Sequence, residues 1–276
     1  MKGVLLVLMA VALLVAGALF SSLSAGDVFK PSSPHERVDI PVEKPNRPTN
    51  WEDEDSDDEE GEEDDDDDDE TPPIEFFDEE IEGDKVTYVM DYTGSMAGRV
   101  GHSITDANGK VIGNPTKMQH IKAEFAKSVM ALSENVKFSA VMFATPAWQC
   151  SRVDVKVWKS QLMDATPQNK QSAIAWVNGF RPGGATPIYD GFEAGAKIPG
   201  TEIVLLHTDG VQNTGRYPTP EQCGPAVINY ANGKNIKVYT FGHCMNSYYG
   251  SSTHNRGKKM LQDIANGTGG TFTQVN

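Results

Sequence analysis

An aspartate, a threonine and a serine alternate in Asp91-Tyr92-Thr93-Gly94-Ser95-Met96, so one carboxylate and two hydroxyls can face a single point from a tight, glycine-assisted turn. Two distant segments carry matching groups. Gly183-Gly184-Ala185-Thr186-Pro187 offers another hydroxyl, and Thr208-Asp209-Gly210 a second carboxylate. Five oxygens with no nitrogen or sulfur suit a hard divalent cation, Mg²⁺ first, with Ca²⁺ or Mn²⁺ able to take the same set. Taken singly, an Asp closing a strand is usually a turn former and Thr-Pro an ordinary helix entry. Their order, and their position at the ends of apolar runs, is what points to a metal site.

Those runs must position the oxygens. Val86–Asp91 is a short apolar, β-branched and aromatic run that reads as a buried strand, and the helical spacing of Met118, Ile121, Phe125 and Val129 predicts a helix over 118–134, begun near Thr116. Further strands are expected over 136–144, 154–158, 202–208, 236–242 and 271–275, and helices over 166–180, 187–197, 220–232 and 257–266. Alternating strands and helices imply an α/β fold: a doubly wound, Rossmann-like, mostly parallel six-stranded sheet with one antiparallel edge strand (154–158) and helices on both faces. In such a sheet the ligand site lies beyond the carboxyl ends of the strands. Asp91 and Asp209 sit at two of those ends.

With these motifs in place the segment from about Lys85 to Val275 resembles a von Willebrand factor type A domain with its metal-ion-dependent adhesion site. That family's pattern is Asp-x-Ser-x-Ser, then a distant Thr, then a distant Asp followed by Gly. The resemblance implies that Asp91, Thr93, Ser95, Thr186 and Asp209 ligate the metal, with Thr93 standing where serine is more usual. It further implies metal-dependent capture of a protein partner's Asp or Glu carboxylate, with no catalysis. No Ser, His and Asp arrangement in a nucleophile turn suggests a hydrolase. An alternative remains, a membrane-associated assembly or chaperone-like accessory of an ATPase system, which would need a cytosolic face. Between Ser95 and the first helix lie about twenty residues where such domains often turn straight into it. Asn108-Gly109 there reads as a hairpin that would wall the site. Tyr92, Asn108, Arg216, Tyr217, Tyr248 and Tyr249 are the candidate partner-binding rim, since tyrosine and arginine are common interface anchors.

The chain has 276 residues and a net charge of −15, but 17 of the 19 positions from Glu52 to Glu70 are acidic. From Asp84 onward there are 19 Lys plus Arg against 13 Asp plus Glu. The globular part is therefore mildly basic, and without a basic cluster it gives no reason to expect nucleic acid. Lys2 followed by the apolar run Val4–Phe20 and Ser21-Ser22-Leu23-Ser24-Ala25 reads as a signal peptide or N-terminal anchor over 1–25. Export to the cell surface, periplasm or medium follows, with membrane attachment only through that segment if it is not removed. Residues 26–83, proline-rich and then acidic, read as a disordered linker, and 84–276 as the folded domain. Cys223 and Cys244 follow adjacent strands and could pair in an exported protein. Cys150 would stay free. His243, Cys244 and His254 match no compact zinc motif.

Overall fold

The computed structural model describes residues 71–276 except Ala147, Trp148, Cys150, Cys244 and 246–250. In chain order the elements are β1 (Ile74–Phe76), β2 (Glu79–Ile81), β3 (Lys85–Asp91), β4 (Ile104–Thr105), β5 (Val111–Ile112), α1 (Lys117–Ala131), β6 (Lys137–Ala144), β7 (Asp154–Val157), β8 (Met163–Asp164), α2 (Pro167–Asn178), α3 (Ile188–Ala196), β9 (Ile203–Thr208), α4 (Pro220–Asn232), β10 (Lys237–His243), α5 (Ser251–Thr268) and β11 (Phe272–Val275). The main sheet runs β11-β10-β9-β3-β6-β7. Its first five strands are parallel, and β7 is antiparallel to β6. This is the doubly wound α/β fold read from the sequence. The sheet has seven strands rather than six, because the two-residue β8 also pairs with β6.

Strand alternation sorts the core between two faces. Val86, Tyr88, Met90, Ile203 and Leu205 pack towards α1 and α2, while Val89, Val204 and Leu206 pack towards α3, α4 and α5. Helix α1 starts at a capping box. Thr116 Oγ1 accepts from Gln119 N at 3.1 Å, and Gln119 Oε1 accepts from Thr116 N at 2.8 Å. Its buried stripe of Met118, Ile121, Phe125 and Val129 then faces the sheet.

The linker boundary at 83 is corrected. Residues 74–81 form the β1–β2 hairpin, in register Ile74 with Ile81. Phe76 and Ile81 are wholly buried in the α1-side core, with Phe76 edge-on to Tyr88 and Phe241. Three-residue strands separated by Phe77 and Asp78 carry too little periodicity to be seen beside the acidic tract. The turn residues Phe77 and Asp78 take positive φ, and Glu124 Oε1 on α1 accepts from Phe77 N at 3.0 Å. The hairpin thus closes the α1 face of the sheet.

Candidate metal centre

Three loops at the carboxyl ends of the strands meet at the expected oxygens. Asp91 ends β3 fully buried, with Oδ1 accepting from Thr93 N at 2.7 Å and Oδ2 accepting from Thr208 Oγ1 at 2.6 Å. The turn then coils into a short 3-10 segment over Gly94–Ala97. This brings Thr93 Oγ1 to 3.1 Å from Ser95 Oγ, and Ser95 Oγ donates to Asp209 Oδ1 at 2.6 Å. Thr186, on the loop before α3, packs against the residue that follows Asp209, a Cβ on Gly210 lying 3.2 Å from its Oγ1.

The loops are stitched through their backbones, which is why residues so far apart in sequence hold a common geometry. Gly94 N donates to Gly184 O at 3.0 Å, and Gly183 N to Tyr92 O at 2.9 Å. Thr145, just beyond β6, receives Ala185 N on its Oγ1 at 2.8 Å and donates its own N–H to Ala185 O at 3.1 Å. Gly184 has φ +78°, and a side chain there would overlap the Thr145 carbonyl. Asn213 Oδ1 accepts from Thr186 N at 2.9 Å, tying in the loop after Asp209. Gln212 Oε1 accepts from Ile188 N at 2.5 Å and Tyr189 N at 3.3 Å, capping α3 from outside.

Two buried carboxylates facing one pair of hydroxyls make an electrostatically tense site. Burial, and after it the charge of Asp209, raises the Asp91 carboxyl well above the usual carboxylate range. Hydroxyl and carboxylate oxygens with an excess of negative charge form a donor set that fits a hard divalent cation. Among the described residues no group of three or more His, Cys, Asp or Glu could hold a metal, in keeping with a set that has only two carboxylates.

The sequence reading missed Lys117. Its side chain is 2% exposed, and Nζ donates to Asp209 Oδ2 at 2.8 Å. The signal was present: a lysine in the first turn of a helix opposes the helix dipole and so calls for a local anion. Thr208 was missed as well, although it is the hydroxyl that braces Asp91. Beneath the site three imidazoles form a file, His207 Nε2 to His243 Nδ1 at 3.0 Å and His243 Nε2 to His120 Nδ1 at 3.1 Å. Burial lowers all three, His120 to about 4 and His207 to about 3.

The expected rim is only partly a rim. Tyr92 is buried, its hydroxyl on Asp154 Oδ2 at 3.0 Å and its ring against Phe180. Arg216 and Tyr217 lie on the loop after Asp209 but engage α3: Arg216 forks onto Glu193 at 2.6 and 2.9 Å, and Tyr217 stands edge-on to Tyr189. The hairpin forms as β4–β5 but does not wall the site. Asp106 to Asn108 line a hollow with Gln119, Ala123 and Ile174, so Asn108 lies down the flank of α1 and α2. Tyr248 and Tyr249 fall outside the described residues. Cys223 is a buried free thiol packed in the α3–α5 core, in place of the bond to Cys244 read from the sequence; Cys244 and Cys150 are outside the described residues. Burial pushes that thiol up to about 12. Among the described residues no helix is long and apolar enough to cross a membrane.

No family model matches the chain. It is 29% identical over 176 residues to human inter-alpha-trypsin inhibitor heavy chain H3 and 27% identical over 176 residues to the mouse protein, a match covering 59% of this chain. The chain spans about a sixth of these relatives, 17% of their length. Among solved structures it is similar to a von Willebrand factor type A protein from Catenulispora acidiphila (20% identity, TM-score 0.49, covering 71% of this chain and 40% of that one). It is also similar to the pilus adhesin SpaC of Lactobacillus rhamnosus GG in its open conformation (16% identity, TM-score 0.48, covering 72% and 28%).

Proposed function

We propose that this globular unit, doubly wound in the manner of a von Willebrand factor type A domain, is a metal-dependent protein-binding or adhesion module. Asp91, Thr93, Ser95, Thr186 and Asp209 would hold Mg²⁺, with Ca²⁺ or Mn²⁺ able to take the same oxygen set. When bound, the ion supplies a Lewis-acidic position for an Asp or Glu carboxylate of a protein partner. What supports the reading is the hydrogen-bonded run Thr93–Ser95–Asp209 beside Asp91, on backbone-stitched loops that hold Thr186 against Gly210, with Ser95 only half buried and hence open to a ligand. Beside it, Thr186 and Gly210 also line a cleft of about 340 Å³ with Val211, Pro218 and Arg256, room for the residues flanking such a carboxylate.

Each of the chain's own residues has a task in this reading. Asp91 supplies the fixed anionic end and is held by Thr93 N and Thr208 Oγ1. Ser95 bridges the two acidic loops through Asp209, and Thr145 with Asn213 holds the loop carrying Thr186 in place. No residue is asked to act as nucleophile or base, so binding without reaction is the expected activity. Export, with any tether through the N-terminal apolar segment, completes the proposal.

The test is binding of the immobilised full chain to surface and secreted material, in Mg²⁺ and in EDTA, beside the Asp209→Ala chain. Capture that depends on Mg²⁺ and is lost in Asp209→Ala is expected. Capture indifferent to both EDTA and the substitution would overturn the reading.

A further inference from the structure

Lys117 is buried where a lysine is least expected. It is the first residue of α1, whose first turn holds no acidic residue, so the helix dipole opposes its charge and burial adds a desolvation cost. Its place is nevertheless fixed from both ends. Its N–H donates to Gly98 O at 2.8 Å, and a Cβ on Gly98 would come 3.5 Å from Lys117 Cε, so the stem runs against that turn. Its ammonium holds Asp209 Oδ2 at 2.8 Å, while Asp209 Oδ1 faces Ser95 Oγ at 2.6 Å. The two oxygens of Asp209 are thereby divided, one towards the hydroxyls and one given over to an internal cation. Truncating a buried pair is costly, but such pairs seldom stabilise a fold better than apolar residues would, so a role besides stability is the more economical account.

We propose that Lys117 is a specificity-determining positioning residue that sets the charge of the metal site: by committing one oxygen of Asp209 it leaves the site's own side chains with a single net negative charge, so that the loaded site is net positive and selects an anionic ligand over a neutral oxygen. The proposal rests on the metal-site reading above. It explains why a site with two carboxylates would still demand a third from outside. It also gives Lys117 two effects of opposite sign, because the same charge that weakens capture of a cation strengthens capture of the carboxylate that follows.

That opposition is the test. The full-length chain is titrated with Mg²⁺ by calorimetry, with the Asp91→Ala chain alongside so that metal held by the acidic tract is subtracted; acetate is then titrated at saturating Mg²⁺. Lys117→Met should bind Mg²⁺ about tenfold tighter or more and acetate about tenfold more weakly, judged from the size of one charge at close range in a partly shielded site. Lys117→Arg, which keeps the charge, should stay near the parent in both. Circular dichroism reports whether each variant is folded, and Lys117→Gln, neutral but still a hydrogen-bond donor to Asp209, should show the same two signs if the Met chain fails to fold. Both affinities falling together, or neither moving, would overturn the proposal, since losing a residue that only braces the loop cannot tighten metal binding. A parent titration that coincides with Asp91→Ala would instead overturn the metal site itself, and the role of Lys117 with it.

Discussion

Asp91→Asn should make the metal-free protein more stable and its metal-loaded form impossible. Asp91 is fully buried, and burial followed by the charge of Asp209 pushes its carboxyl from 3.8 up to about 7. A carboxyl raised in the fold penalises folding above its unfolded value, and the penalty grows until the pH passes the folded value. At about 1.4 kcal/mol per unit this gives at most roughly 4 kcal/mol above pH 7. Asparagine gives some of that back, because its amide nitrogen cannot accept from Thr208 Oγ1 as Oδ2 does, so a net gain of about 1–3 kcal/mol is expected. The gain should be largest above pH 7 and vanish below pH 4. In the parent, Mg²⁺ at a hundred times its dissociation constant should add about 2.7 kcal/mol, and in the variant nothing. Urea denaturation of both chains across pH 4–8, with Mg²⁺ and with EDTA, measures all of this. Metal on the acidic tract should not disturb the reading, since a tract that binds equally in folded and unfolded chains moves neither curve. A variant less stable than the parent at pH 7.5 in EDTA would refute the account of Asp91 as a strained anion, and an equal Mg²⁺ shift in both chains would refute its role as ligand.

Other expectations follow from neighbouring parts of the fold. Phe76→Ala should cost about 3–5 kcal/mol in urea denaturation, because the ring is wholly buried between Tyr88 and Phe241; a cost under about 1 kcal/mol would remove the β1–β2 hairpin from the core. Gly184→Ala should abolish the Mg²⁺-dependent rise in melting temperature, since φ is +78° and the added methyl overlaps Thr145 O, displacing the loop that carries Thr186; an unchanged rise would show that the loop can move without loss. Stability should also fall on acidification. His120 and His243 are held neutral by burial, His120 at about 4, so the unfolded chain takes up protons near 6.5 that the fold refuses. Between pH 6.5 and 5 each such histidine should cost up to about 2 kcal/mol, less for the half-buried His120. Because Asp91 titrates with the opposite sign over that interval, the Asp91→Asn chain is the one to measure, and a flat urea midpoint in it would mean that the imidazoles are solvated.

The sheet was legible because its strands are long and apolar. Val86–Asp91, 202–208 and 236–242 announce themselves as buried runs, and each lies within a residue of the observed strand. Short elements were not legible. Strands of two or three residues, such as β1, β2 and β8, have no period to read, and their pairing is decided by the surfaces they cover. The β1–β2 hairpin shows this most plainly: Ile74, Phe76 and Ile81 are individually unremarkable beside seventeen acidic residues, yet together they seal one face of the sheet. Cys223 makes the converse point. Following adjacent strands suggested a bond, but α4 turns its buried face inward and carries the thiol into the core with Val227 and Ala231.

That Asp91, Thr93, Ser95 and Asp209 gather at neighbouring strand ends could be read from sequence, because their chemistry and their strand-end positions coincide. Lys117 was missed because its separation from Gly98 along the chain hides their proximity. The intervening segment returns almost to its starting point: Arg99 bridges Thr116, Val100 N donates to Pro115 O at 3.0 Å, and Lys117 N to Gly98 O at 2.8 Å. The β4–β5 hairpin is thus looped out along α1, and the first turn of that helix starts where a direct connection from the Asp91 turn would have placed it. An insertion whose ends meet leaves the site it interrupts unaltered, so about twenty extra residues alter the flank of α1 while Asp209 keeps its ammonium. A sequence reading that measures distance along the chain sees a wall beside the candidate metal site. One that asks why a helix should begin with a lysine, against its own dipole, finds the anion instead.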